Sequence, residues 1–158
     1  MAHDESRDSR GSVALTLFID SAVIMYAGGS AHPLRGPCQE ILRMVVSGRL
    51  DAVTSAEVIQ EILHRFTALR RVELGAAMAE NALDLFAPVV PITHSIMLRM
   101  PGLVRRYGHL AARDLIHLAT CVELGFAAIV TPDRGFDIVA ELTRIDPTER
   151  SGLEPHLR

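Results

Sequence analysis

Lysine is absent from this sequence of 158 residues, so every mechanism that needs a lysine amine is excluded. Walker-type phosphate loops and Schiff-base chemistry fall away on that ground alone. Tryptophan is absent as well, and aromatic residues make up 4% of the chain, too few for the stacking platforms of single-strand nucleic-acid binders. Cysteine occurs only at Cys38 and Cys121, far apart and without CxxC spacing, which predicts two buried thiols in a reduced protein rather than a disulfide or zinc framework. Nor is either charge in large excess. The 16 basic residues, all arginine, face 19 acidic ones for a formal charge of −3, so any surface that attracts a polyanion must be local.

A long apolar run is also missing once its one candidate is inspected. Residues 13–27 follow Arg7 and Arg10 in the manner of a secretion signal, but Asp20 sits within them. A carboxylate at the centre of an inserting segment costs roughly 2.5–3.5 kcal/mol. Asp4, Glu5 and Asp8 make the leader acidic besides. The expectation is a soluble, cytoplasmic protein with no membrane association. Residues 1–12, MAHDESRDSRGS, are too polar to bury surface and are expected to be a disordered tail before one domain over 13–158.

What is present is an alternation of apolar strands and amphipathic helices. The run VALTLFI at 13–19 suits a central parallel strand covered on both faces. Helices are expected at 21–26, 37–47, 55–71, 74–86, 95–106 and 111–124, each ended by glycine, proline or a change of period. Short strands are expected within DAVTS at 51–55, at 89–92 and in FAAIVT at 126–131. No repeat of 20–50 residues interrupts this order. The fold class is therefore α/β, with a mostly parallel central sheet and helices on both faces.

In such a sheet reactive groups collect where strands end, and Asp20 and Asp133 each follow an apolar strand. Asp114 falls in the first turn of its helix, where the dipole favours a carboxylate. Glu57 and Glu61 lie one turn apart on one side of the 55–71 helix. Thr54 and Glu57 fit the T-x-x-E capping box, which gives Glu57 a structural role; Glu61 has only an i, i+4 pairing with Arg65 as its ordinary explanation and is the better site residue. Carboxylates without a Cys or His framework suit a hard cation such as Mg²⁺ or Mn²⁺ and the transfer of a phosphoryl group.

The segments LFIDSAVIMYA, VTSAEVIQEILHR, ARDLIHLATCVELG and AAIVTPDRGFD, in this order and spacing, resemble the PIN-domain ribonucleases, in particular VapC-type toxins. The resemblance spans residues 14–146 and implies a PIN-like three-layer fold. It places the family's acidic quartet on Asp20, Glu61, Asp114 and Asp133, with Ser21 and Thr131 at its hydroxyl positions and Asp137 as a further carboxylate. It implies an Mg²⁺- or Mn²⁺-dependent endoribonuclease that leaves a 5′-phosphate and a 3′-hydroxyl. It also implies the toxin role, a cognate antitoxin lying across the groove, and a homodimer formed through helices, with which the apolar residues of 78–85 are compatible. Pro132 before Asp133 and Gly135 after Arg134 stand where the family tolerates several residues, which leaves the aim of the Asp133 carboxylate open.

Other readings compete with this one. A receiver-like phosphoacceptor needs a lysine, and a haloacid-dehalogenase-type phosphatase needs an aspartate where Ala22 stands. A housekeeping RNA-processing nuclease shares the chemistry, while a non-catalytic interaction module would not need all four carboxylates. His117, three residues after Asp114, reads as packing rather than as a ligand, since hard cations rarely recruit imidazole. Arg70, Arg71, Arg105, Arg106, Arg113 and Arg134 are available to rim an acidic pocket and guide phosphates.

Overall fold

The structure, a computed structural model, describes residues 16–158. The tail expected at 1–12 and the first three residues of the strand expected at 13–19 lie outside the described residues. Four short strands pair in parallel in the order β2-β1-β3-β4: β1 (Leu17–Ile19), β2 (Ala52–Val53), β3 (Ala128–Val130) and β4 (Thr143–Ile145). In β1 all three side chains are wholly buried, and in β3 Ala128, Ile129 and Val130 are nearly so. Successive strand residues point to opposite faces, so both faces of the sheet are covered.

The covering layers are helical. Helix α1 (Ser21–Gly28) packs on α2 (Arg35–Val46), and α3 (Ala56–Ala68) forms a tight hairpin with α4 (Val72–Leu85). Helices α5 (His94–Leu98) and α6 (Met100–Arg106) lie against α7 (Ala112–Leu124). Gly125 ends α7 at φ 78, a left-handed conformation that favours glycine. A 3₁₀ turn at Arg134–Ile138 and a short α8 (Arg150–Leu153) follow. No helix among the described residues is long and apolar enough to cross a membrane. Cys38 and Cys121 are buried free thiols.

Several elements differ from their sequence-based expectation, each for an identifiable reason. Residues 89–92 form only a single bridge, Val90 with Ser55, because Pro88 and Pro91 on either side have no N–H to extend a ladder. The helix expected over 95–106 is broken at Arg99, since Pro101 cannot donate to the carbonyl one turn back; Thr93 caps the first piece by accepting from Ile96 N. Strand β4 has no apolar run to announce it, being the polar-faced edge strand T-R-I. The apolar residues of 78–85 are largely spent inward: Met78, Ala79 and Ala82 are buried in the core and Leu83 stays exposed.

Order in the sheet decides where chemistry can occur. The chain leaves β1 toward β2 on one side, while β3 and β4 lie on the other, so the carboxyl ends of β1 and β3 flank a topological switch point. The parallel register pairs Ile19 with Val130, and the next residues are Asp20 and Thr131.

The α3–α4 hairpin yields a test of packing in which the usual sign for glycine reverses. A Cβ on Gly75 would lie 2.5 Å from the Cβ of Phe66, so Gly75→Ala is expected to destabilise by about 1–3 kcal/mol. Gly102 in α6 meets nothing within 4 Å, and Gly102→Ala is expected to stabilise by about 0.5–1 kcal/mol. Denaturant titration of both variants checks the contrast.

Candidate functional site

Asp20 ends β1 and caps α1: its Oδ1 accepts from Ser21 N at 2.7 Å. The residue is 5% exposed, and its other oxygen, Oδ2, accepts from Thr131 Oγ1 at 2.7 Å. Thr131 Oγ1 also accepts from the Asp133 backbone N at 3.1 Å, so one hydroxyl ties together the ends of both central strands. Ser21 Oγ donates to Glu61 Oε2 at 2.8 Å and lies 3.3 Å from Asp20 Oδ1.

Glu61 reaches this point from α3, whose buried face carries Val58, Ile59, Ile62 and Phe66. Its second oxygen, Oε1, accepts from His117 Nε2 at 2.6 Å, so its two oxygens each take one hydrogen bond, from Ser21 and His117 rather than from Arg65. His117 is wholly buried on α7, and its Nε2 is 3.5 Å from Asp20 Oδ1. From the sequence this ring reads as packing; its contacts put it inside the acidic cluster. The spacing from Asp114 hinted at this, but only the approach of α3 to α7 makes Glu61 its partner.

The cap of α3 also differs from expectation. Ser55, not Thr54, is the N-cap, its Oγ accepting from Val58 N, while Thr54 Oγ1 donates to the Ile19 carbonyl at 2.8 Å and ties β2 to β1. Glu57 is thereby released from the capping box. Partial burial, and next the charge of Glu61, push its carboxyl above the ordinary range, so it belongs to the acidic neighbourhood. The i, i+4 spacing of the two glutamates was the signal for this.

The electrostatics record the crowding. Burial pushes Asp20 up, with repulsion from Glu61 adding to it, against the pull of His117, Thr131 and Ser21. Burial, then Asp20, and also Asp133 and Glu61 push Asp114 up to about 6, with His117 opposing. For Glu61 burial is outweighed by its hydrogen bond and charge contact with His117, the Ser21 bond and Arg113, so its carboxyl stays below the usual value. Burial works against a charged His117, but Glu61, Asp20 and Asp114 together raise its basicity.

One ligand atom each from Asp20, Glu61 and His117 lies within 4.8 Å of the others. The donors are mainly carboxylate oxygens, and the repulsion that raises Asp114 is what a bound cation relieves. This arrangement fits a hard divalent ion.

Residues 17–142 match the family model of the PIN domain. The chain belongs to the PIN-domain family. It is 32% identical over 129 residues to Ribonuclease VapC13 of Mycobacterium tuberculosis, a match covering 82% of this chain and 98% of that one. Among solved structures it resembles Mycobacterium tuberculosis VapC20, described as a sarcin-ricin loop cleaving toxin. That match has a TM-score of 0.66 and 16% identity and covers 80% of this chain and 96% of that one. It also resembles a toxin-antitoxin complex from Klebsiella pneumoniae, with a TM-score of 0.61 and 16% identity over 84% of this chain and 98% of that one.

In this PIN domain the acids are not equally placed. Asp20 and Glu61 are held together, and Asp114, half-buried, lies within their field. Asp133 is exposed; it caps the 3₁₀ turn, accepting from Gly135 N at 2.8 Å, and it adds to the charge felt by Asp114. Asp137 faces elsewhere, paired with Arg144 Nε at 2.6 Å. Beside the acids runs a groove of about 490 Å³, lined by Glu61 and Asp114 together with Arg65, Arg71, Arg113 and Tyr26. Of the arginines expected to form a rim, Arg71 and Arg113 therefore reach the groove. Arg106 is engaged with Glu141.

Thr131→Val keeps the shape of the side chain but leaves Asp20 Oδ2 without its donor. It is expected to cost about 1–3 kcal/mol of stability, measured by denaturant unfolding at neutral pH.

Proposed function

We infer that this PIN domain is a divalent-cation-dependent endoribonuclease and the toxin component of a toxin–antitoxin pair. The observation that carries the reading is the convergence of Asp20, Glu61 and Asp114 at the switch point between β1 and β3, beside a groove bearing Arg65, Arg71 and Arg113. Asp20, Glu61, Asp114 and Asp133 would hold Mg²⁺ or Mn²⁺. A cation bound there supplies charge neutralisation at a phosphodiester and makes an attacking water more acidic.

The chain's own residues supply the rest. Glu61, kept ionised by its neighbours, is suited to ligate the cation or to orient water and take its proton. Ser21 and Thr131 fix the carboxylates of Glu61 and Asp20 so that little reorganisation is needed when substrate arrives. The arginines of the groove give RNA phosphates bidentate partners that an overall negative protein otherwise lacks. Water adds at phosphorus as the bond to the 3′ oxygen breaks, leaving a 5′-phosphate and a 3′-hydroxyl.

A cognate antitoxin laying a segment across the same groove would block both metal and RNA, and the protein would act in the cytoplasm as a homodimer. The relatives support the toxin reading over a housekeeping nuclease, because two of the similar proteins are described as a toxin and as a toxin-antitoxin complex.

Asp20→Asn is expected to abolish Mn²⁺-dependent RNA cleavage while leaving the circular dichroism spectrum unchanged. Glu61→Gln is expected to lose far more activity than Glu57→Gln, because only Glu61 is bonded into the cluster. Cleavage by the Asp20→Asn variant at the wild-type rate would reject the reading. Sequencing RNA ends after induced expression identifies the target, and co-expression of the neighbouring gene product tests for an antitoxin.

A further inference from the structure

His117 is a wholly buried polar side chain whose role the acidic quartet does not explain. Its ring packs against Phe18 of β1, the ring centroids 5.4 Å apart, which fixes the plane of the imidazole beneath the site. Nε2 lies 2.6 Å from Glu61 Oε1 and 3.5 Å from Asp20 Oδ1. An ionised carboxylate only accepts hydrogen bonds, so Nε2 carries the hydrogen and donates to Glu61. Nδ1, at the other side of the ring, is buried without a hydrogen-bond partner among the described residues. A side chain kept only to fill this space would be better apolar, since an unpaired buried nitrogen is unfavourable. Whatever favours histidine here acts through Nε2.

We propose that His117 is a positioning residue: its Nε2–H, with the Ser21 hydroxyl on the other oxygen, holds the Glu61 carboxylate in the orientation in which it shares a divalent cation with Asp20. Each oxygen of Glu61 has one protein donor, His117 for Oε1 and Ser21 for Oε2. The group is thus restrained from turning about its terminal torsion, and each oxygen keeps lone-pair capacity for a cation. Donors of this kind behind a ligand set its direction and basicity, and their loss typically weakens metal binding or activity about 10–100-fold. The inference rests on the nuclease reading and adds to its four acids a buried imidazole that acts through one of them.

The test uses the metal-free full chain and Mn²⁺ alone, titrated calorimetrically into wild type, His117→Leu, His117→Asn and His117→Gln. Leucine fills the volume without a donor, asparagine reaches only as far as Nδ1, and glutamine can place an N–H near the position of Nε2. His117→Leu and His117→Asn are expected to bind Mn²⁺ about 10–100-fold more weakly than wild type, and His117→Gln to recover most of that loss. A packing role predicts the opposite order, with leucine best. Wild-type affinity in His117→Leu, or glutamine no better than leucine, overturns the proposal. If the leucine variant does not fold, the asparagine and glutamine variants carry the same contrast.

Pulsed electron paramagnetic resonance of bound Mn²⁺ is expected to show no directly coordinated imidazole nitrogen. Such a coupling would make His117 a ligand and overturn the positioning role. Failure of wild type to take up Mn²⁺ at all would count against the nuclease reading instead. The pairing is then decided by ¹⁵N NMR of the metal-free chain: a protonated Nε2 whose signal shifts in Glu61→Gln sustains it, and an unprotonated Nε2 overturns it.

Discussion

The parallel pairing of β1 with β3 is the constraint from which the site follows. Backbone hydrogen bonds between these two strands bring Ile19 beside Val130, although the residues are remote in sequence, and the next pair outward is Asp20 and Thr131. Burial on both faces locks the register, because a slip of one residue would turn every inward side chain to the opposite face. The core around Leu17, Phe18, Ile129 and Val130 therefore places the acids as well as stabilising the chain.

A cluster of like charges at the end of a buried sheet is unfavourable by itself, and the structure offsets this in two ways. The Ser21 backbone N–H and the Thr131 hydroxyl bond to Asp20, the Ser21 hydroxyl bonds to Glu61, and His117 contributes a donor from beneath. Asp114 has less of this support: burial first, and then the charges of Asp20, Asp133 and Glu61, lift its carboxyl. A bound cation would relieve the residual repulsion. The arginines that line the groove put local positive charge beside these acids on a molecule whose net charge is negative.

Legibility in the sequence varied with how local the cause was. Asp20 stood out because an apolar strand ends on it. Asp114 stood out because it opens a regular helix. The α/β alternation and the long helices α3, α4 and α7 were readable from their periods. Strand β4 was not, since an edge strand needs no apolar run, and the extended segment at 89–92 failed to become a strand because its prolines remove ladder donors. The capping assignment missed by one residue: Thr54 and Ser55 are both suitable caps, and the choice was made by the sheet, which takes the Thr54 hydroxyl for the Ile19 carbonyl.

By itself the sequence determined the fold class, the exclusion of lysine chemistry and the identity of the acidic residues at strand and helix ends, because period, composition and adjacency are properties of neighbouring residues. Tertiary structure alone decided that His117 meets Glu61 and that both lie beside Asp20. Those outcomes depend on which helix faces which across the sheet. Such contacts join residues far apart in the chain, and no local pattern encodes the distance at which they meet.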